Sequence, residues 1–294
     1  MNKEVGDPTS LGFKVQRRKK VKNLFLFVGP ALLINVFIVL IPSISTVALS
    51  FFKWDGINPP IFIGFQNFKH IFLSMDFLQA LTHNVVWTIV FLTIPVAMGL
   101  IGAELLRRSK QKFFLAFYFF PTILPIVVVG IIWSKIYHPI HGLGKYLGIA
   151  LLGNTSTALY AIAFANIWAW WGFLCAVFYC AIQGISKDLY EVAKLDGATR
   201  WHEFRYITLP GILPTIVFME IMTIIWSFQV FDWVWVTTQG GPAGSTELLA
   251  TLMYKKAFYS YKVGEASAIG TMMAVFGMLA TLIYYYLKKK GVEV

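Results

Sequence analysis

SKDLYEVAKLDGATRWHEFRYITLP, residues 186–210, is the longest polar interruption in the second half of a very apolar chain. Apolar runs long enough to cross a bilayer flank it on both sides. It is too short for a domain and too patterned for a linker. Ser186 is placed to cap a helix, and Asp188 falls in the first turn, where the helix dipole favours a negative charge. Leu189, Val192 and Ala193 then share one face at helical spacing. Asp196-Gly197 reads as a stop, with Gly197 free to enter the left-handed conformation that ends a helix. Thr199 is placed to cap a second short helix bearing Trp201, Phe204 and Arg205. Pro210 and Pro214 predict a break, after which the chain restarts as a membrane helix. The expected element is a helix, a bend and a helix lying against the membrane, with apolar and charged groups turned outward.

The composition sets the solvent. Of 294 residues, 57% are hydrophobic and 13% charged, with a mean hydropathy of +0.67. A soluble fold of this size cannot hide that much apolar surface, so the chain is expected in a bilayer. A formal net charge of +11 would suit nucleic acid, but the positive residues cluster beside the apolar runs. That placement is a topology signal, and no nucleic-acid partner is expected. Cys175 and Cys180 lie five apart in one span and point to different sides, so no disulfide is expected between them.

Six apolar runs follow one another. The first, residues 24–51, contains Pro30 and Pro42, which predict a bend. A loop, 53–83, with short interfacial helices precedes the second, 84–106, which Pro95 is expected to interrupt. Arg107, Arg108, Lys110 and Lys112 then mark the cytoplasm, and Glu104 reads as their interfacial ion-pair partner. The third span, 113–136, carries Pro121 and Pro125 and is expected to be irregular at mid-membrane. Residues 137–155 form a short external loop, where His138 and His141 read as exposed histidines rather than metal ligands. The fourth span is 158–182, the fifth 212–238 and the sixth 266–287, the last two joined by an external loop, 237–262. Residues 1–22 read as a cytoplasmic tail, not a signal peptide. Residues 23–290 form the membrane domain and 291–294 a short tail. With six spans both termini are cytoplasmic, which places 18 of the 25 Lys and Arg residues inside. Lys255, Lys256 and Lys262 are exceptions, expected along an interfacial helix or against an external partner.

The stretch quoted first carries a resemblance. Glu191-Val192-Ala193, three residues, Gly197, nine residues and Ile207-Thr208-Leu209-Pro210 resemble the cytoplasmic coupling loop of ABC importer permeases. That motif is Glu-Ala-Ala, three residues, Gly, nine residues, Ile-x-Leu-Pro, and Val192 is the one departure. Gly64…Asn67-Phe68, Gly240-Gly241-Pro242 with Thr246-Glu247, Tyr254…Ala257-Phe258 and Gly264-Glu265-Ala266-Ser267-Ala268 are similar to segments of the carbohydrate branch, related to the maltose transporter permease. Pro139, Gly142-Leu143 and Leu147-Gly148 match that branch in the short external loop.

The resemblance implies an all-α membrane protein of six transmembrane helices with the type I ABC importer permease fold, in a prokaryotic cell membrane. The implied function is the permease subunit of an ATP-driven importer for a sugar or oligosaccharide. The alternatives are a non-sugar solute such as a glycerol phosphate ester, or an ion-coupled secondary transporter. Implied partners are a second six-span permease, two ATP-binding subunits and an external solute-binding protein seated on residues 53–83 and 239–262. Within the coupling loop, Leu189, Val192 and Ala193 would pack on the ATPase, Glu191 would make a polar contact and Gly197 the bend; Ile207, Leu209 and Pro210 complete the motif.

No phosphate-cradling Gly-rich loop, Gly-x-Ser-x-Gly, His-Glu-x-x-His or CxxC is present, so no catalytic residue, metal or cofactor is expected, and ATP hydrolysis falls to a partner. Sugars are held by aromatic faces and hydrogen-bonding side chains, which Asn166, Trp170, Trp226, Gln229 and Asp232 offer. The same residues also fit an interfacial belt, with polar groups paired to a second permease. Glu220 is expected to pair between helices.

Overall fold

The computed structural model describes residues 27–109 and 113–289. The expected tails 1–22 and 291–294, the start of the first span, Lys110, Lys112 and Lys290 lie outside the described residues. The structure is mostly helical. Five helices are long and apolar enough to cross a membrane: α1 Phe27–Leu49, α3 Met75–Arg108, α7 Ala158–Gln183, α9 Arg200–Phe228 and the apolar part of α12, Val263–Lys289. A sixth candidate span is the pair α4 Phe113–Ile123 and α5 Ile126–Ile136, long and apolar enough together and bent by 91° between them. The remaining short helices are α2 Gln66–Leu73, α6 Leu143–Leu147, α8 Lys187–Leu195, α10 Asp232–Thr237 and α11 Leu249–Phe258.

The prolines do not act alike. Val36–Leu40 and Phe204–Thr208 are π-helical. Ile41 N–H donates five residues back to Val36 O, and Leu209 N–H donates five back to Phe204 O. Each widened turn directly precedes a proline, Pro42 or Pro210. A proline has no N–H, and its ring crowds the carbonyl four residues earlier. Opening the turn before it relieves that crowding without ending the helix. The break expected at Pro210 is therefore absent: α9 runs unbroken from the polar stretch into the bilayer. Pro95 is buried inside a continuous α3, so that interruption is absent too. Pro121 also lies within a helix, and the bend falls at Leu124-Pro125, where Pro125 turns extended (φ −57°, ψ 130°). Thr122 Oγ1 donates to Ala169 O of α7 at 2.7 Å and holds the bent span against it.

Three boundaries shift. The second helix begins at Met75, well before residue 84, so part of the expected loop is helix. The fifth span ends at Phe228; residues 229–231 unwind before α10 packs against α5 and α7. The expected loop 237–262 carries α11, and its residues 245–252 are all buried. Mixed side chains (Leu249, Ala250, Thr251, Leu252, then Lys255 and Lys256) hid a helix whose first turn is core. Its lysines are matched within the chain: Lys255 bonds Glu247, and Glu265 takes Lys256 at 3.5 Å and Lys262 at 3.2 Å.

In a membrane, packing between helices rests on close contact and on hydrogen bonds worth about 0.6–2 kcal/mol each, since lipid is as apolar as leucine. Asn84, fully buried in α3, is the main knot. Its Nδ2 donates to Ser227 O at 2.9 Å, and its Oδ1 accepts from Leu249 N–H at 2.8 Å. One side chain thereby ties α3, the end of α9 and the start of α11.

The end remote from residues 186–210 departs from pure helix. β1 Phe52–Lys53 and β2 Ile61–Phe62 form an antiparallel ladder. Asp55 turns it: N–H donors of Ile57 and Asn58 and the Asn58 amide hold its carboxyl down at about 2. Asn67, in the Gly-x-x-Asn-Phe segment, donates to Ser50 O and Phe52 O, both at 2.8 Å, and locks the end of α1. Gly264 passes the same point so closely that a Cβ there would stand 2.0 Å from Phe52 O.

Candidate functional site

The polar stretch folds as a capped lever. Ser186 Oγ accepts Asp188 N–H and starts α8. Gly197 takes φ +77°, the left-handed region a side chain resists, and its N–H closes on Lys194 O at 3.1 Å. Thr199 Oγ1 accepts His202 N–H and starts α9. The cap, stop and cap predicted from the sequence are all present. The second arm, however, is the root of the fifth span and not a separate helix.

The outer face of α8 is apolar and open: Leu189 is 55% exposed, Val192 56% and Leu195 87%. Glu191 is exposed on the same helix and Ala193 is partly covered. Ile207 lies in the π turn, half-buried, and Leu209 packs into the core formed by α3, α7 and α9. Pro210 is exposed at the first turn beyond.

The inner face holds two residues that pattern alone missed. Tyr190 is 7% exposed, and its hydroxyl lies 3.0 Å from Thr208 Oγ1. Glu203 is 3% exposed and accepts from Arg107 Nη2 at 2.9 Å and Arg108 Nη2 at 3.1 Å. Both arginines also grip Glu104, at 2.7 and 2.6 Å, which confirms the ion pair expected there. The Arg107 guanidinium stands 4.1 Å over the Tyr190 ring. The signal for Glu203 was faint: a lone acid among Arg200, His202 and Arg205, with its counter-charges some hundred residues away in sequence.

A second site is a half-open cavity between the helices. Asn166, Trp170, Trp226, Gln229 and Asp232, proposed from sequence as pathway residues, all line one cavity of about 500 Å³. That volume falls in the range of small-ligand pockets. Trp170 and Trp226 meet edge to face, with centroids 5.2 Å apart. Trp87 and Phe91 of α3 and Thr122 and Ile126, on either side of the bend in the third span, close further walls. Gln229 opens the unwound stretch and Asp232 begins α10 just after it, and the unwinding delivers both to the cavity. Among the described residues the lining carries one carboxylate and no Lys or Arg. Glu220 is half-buried elsewhere on α9, outside the cavity lining; the pairing between helices expected for it is not found among the described residues.

His138 and His141 stack at 5.2 Å, and His138 Nδ1 accepts two backbone N–H groups. Among the described residues no three His, Cys, Asp or Glu side chains gather to hold a metal.

Comparison with known proteins gives consistent results. The family described as "Binding-protein-dependent transport system inner membrane component" matches residues 95–291. The probable ABC transporter permease protein YurN of Bacillus subtilis (strain 168) is 34% identical, over 92% of this chain and 97% of the relative. The diacetylchitobiose uptake system permease protein NgcF of Streptomyces coelicolor is 32% identical, over 94% of this chain and 87% of the relative. Among solved structures, a chain of a bacterial ABC transporter involved in the import of the acidic polysaccharide alginate superposes with a TM-score of 0.81. That match covers 94% of this chain and 99% of the other, at 22% identity, and establishes the likeness of fold.

Proposed function

Because the chain belongs to the binding-protein-dependent transport system inner membrane components, the permeases of ABC transporters, we propose that it forms half of a translocation pathway for a sugar or oligosaccharide. The convergence of Asn166, Trp170, Trp226, Gln229 and Asp232 on one cavity carries this reading. Indole faces cover the apolar faces of sugar rings, while an amide and a carboxylate take hydroxyls. The solute named for the NgcF relative is of this kind. A phosphate ester fits less well, since no cation among the described residues lines the cavity.

The chain is a non-catalytic subunit, and ATP hydrolysis belongs to two partner ATPases. Their docking surface is the open face of α8: Leu189, Val192 and Ala193 for packing, Glu191 for a polar contact. Gly197 sets the bend, and Ile207, Leu209 and Pro210 root the lever in the fifth span. This end faces the cytoplasm, as do both termini, in a prokaryotic cell membrane. Among the described residues none in the most apolar stretch of α1 is buried, which supports a second six-span permease against it. A solute-binding protein would sit at the opposite end on the hairpin, α2 and the exposed parts of residues 239–262, the buried run 245–252 excluded.

The test is uptake in proteoliposomes holding the chain with its co-purified subunits, with a panel of labelled oligosaccharides beginning with diacetylchitobiose. Trp170→Ala and Asp232→Asn are each expected to lower ATP-driven uptake by about tenfold or more, while the ATPase stays bound. Wild-type uptake in both variants would contradict the assignment of the cavity.

A further inference from the structure

We propose that Arg107, Glu203 and Tyr190 form a transmission node that makes the second span, α3, move as one body with the coupling element. The inference rests on the reading that this element receives the ATPase. Along the chain, residues 186–210 are joined only to the fourth and fifth spans. Deeper in the membrane α3 packs against both of those spans; at the lever itself, among the described residues, a push on α8 meets α3 through the side chains of the node.

Three links converge there. Glu203, on the first turn of α9, accepts from Arg107 and Arg108 of α3. Arg108 Nη2 also donates to Arg200 O at 3.1 Å. Tyr190, on α8, lies under the Arg107 guanidinium and meets Thr208 in the π turn. One guanidinium thus touches both arms of the lever. Arg107 is meanwhile fixed to its own helix by a two-pronged bond to Glu104, through Nε at 2.8 Å and Nη2 at 2.7 Å. A planar guanidinium held on several sides resists displacement in a way a flexible lysine would not.

The tetrad Glu104, Arg107, Arg108 and Glu203 is neutral, mostly shielded from water and costly to desolvate, so stability alone is a weak reason for it. Its position gives a better one. α3 is a continuous helix, and Phe91, which lines the solute cavity, is 16 residues from Arg107. At 1.5 Å per residue that is about 24 Å of stiff rod between the lever and the cavity wall.

The experiment uses the whole transporter, with Cys175 and Cys180 replaced by Ala and spin labels at Leu105→Cys on α3 and Lys194→Cys on α8, both exposed positions. The distance between labels is read by dipolar EPR before and after trapping with ATP and vanadate. In the wild-type background it is expected to stay within about 2 Å, the scale of interhelical slippage, because both helices travel together. With Glu203→Gln it is expected to shift or broaden on trapping. Tyr190→Phe, which keeps the ring and loses only the bond to Thr208, is expected to do the same to a smaller degree. A distance that changes on trapping in the wild type would overturn the proposal. So would one that stays fixed in both variants. Failure of the underlying reading looks different: the wild-type chain would then retain no ATPase on purification.

Discussion

Gly197 holds the bend of the lever at φ +77°, and a Cβ there meets no atom within 4 Å. The obstacle to substitution is therefore backbone conformation alone. Gly197→Ala is expected to cost about 1 kcal/mol and leave uptake measurable. Gly197→Pro cannot adopt this φ and loses the N–H bonded to Lys194 O. It is expected to insert in the membrane at normal levels but lose ATP-driven uptake, which membrane fractionation and a transport assay would separate. Asn84 is the opposite case, fixed by bonding rather than conformation. Asn84→Leu strands Leu249 N–H and Ser227 O away from water, at about 1–3 kcal/mol for each group left unmade. A drop of several degrees in the melting temperature of the detergent-purified chain is expected; an unchanged value would mean that water replaces the amide.

At the level of elements, Pro121 and Pro125 give a paired prediction. Pro125 makes the bend beside the cavity, whereas Pro121 lies inside α4. Pro125→Ala restores an N–H and allows the two halves to straighten, so it is expected to reduce uptake far more than Pro121→Ala in the same assay. Equal effects would show that the bend is held by Thr122 and packing instead. Here the limits of the sequence also become physical. The long spans were legible because only an apolar run of about 20 residues can cross a bilayer. The cavity residues were legible because polar groups are costly there and stand out. The capped lever was legible because Ser186, Gly197 and Thr199 act locally. What the pattern hid was non-local or ambiguous. A proline looks the same whether a π turn absorbs it, as at Pro42 and Pro210, or it bends a span, as at Pro125. Glu203 needed α3 folded beside it before its burial made sense. The first turn of α11 looked like loop until its neighbours covered it.

For the whole molecule, the fold divides into an open apolar lever at one end, a hairpin and short helices at the other, and a cavity between them. α1 leaves most of its apolar surface to lipid or to another chain. The open face of α8 is the surface we propose a separate ATPase grips. A photo-reactive residue at Val192, activated in intact cells, tests it most directly. The expected product is a single adduct with the ATP-binding subunit, abolished when that subunit is deleted. An adduct with the external binding protein, or labelling of this position by a reagent that cannot enter the cell, would contradict it.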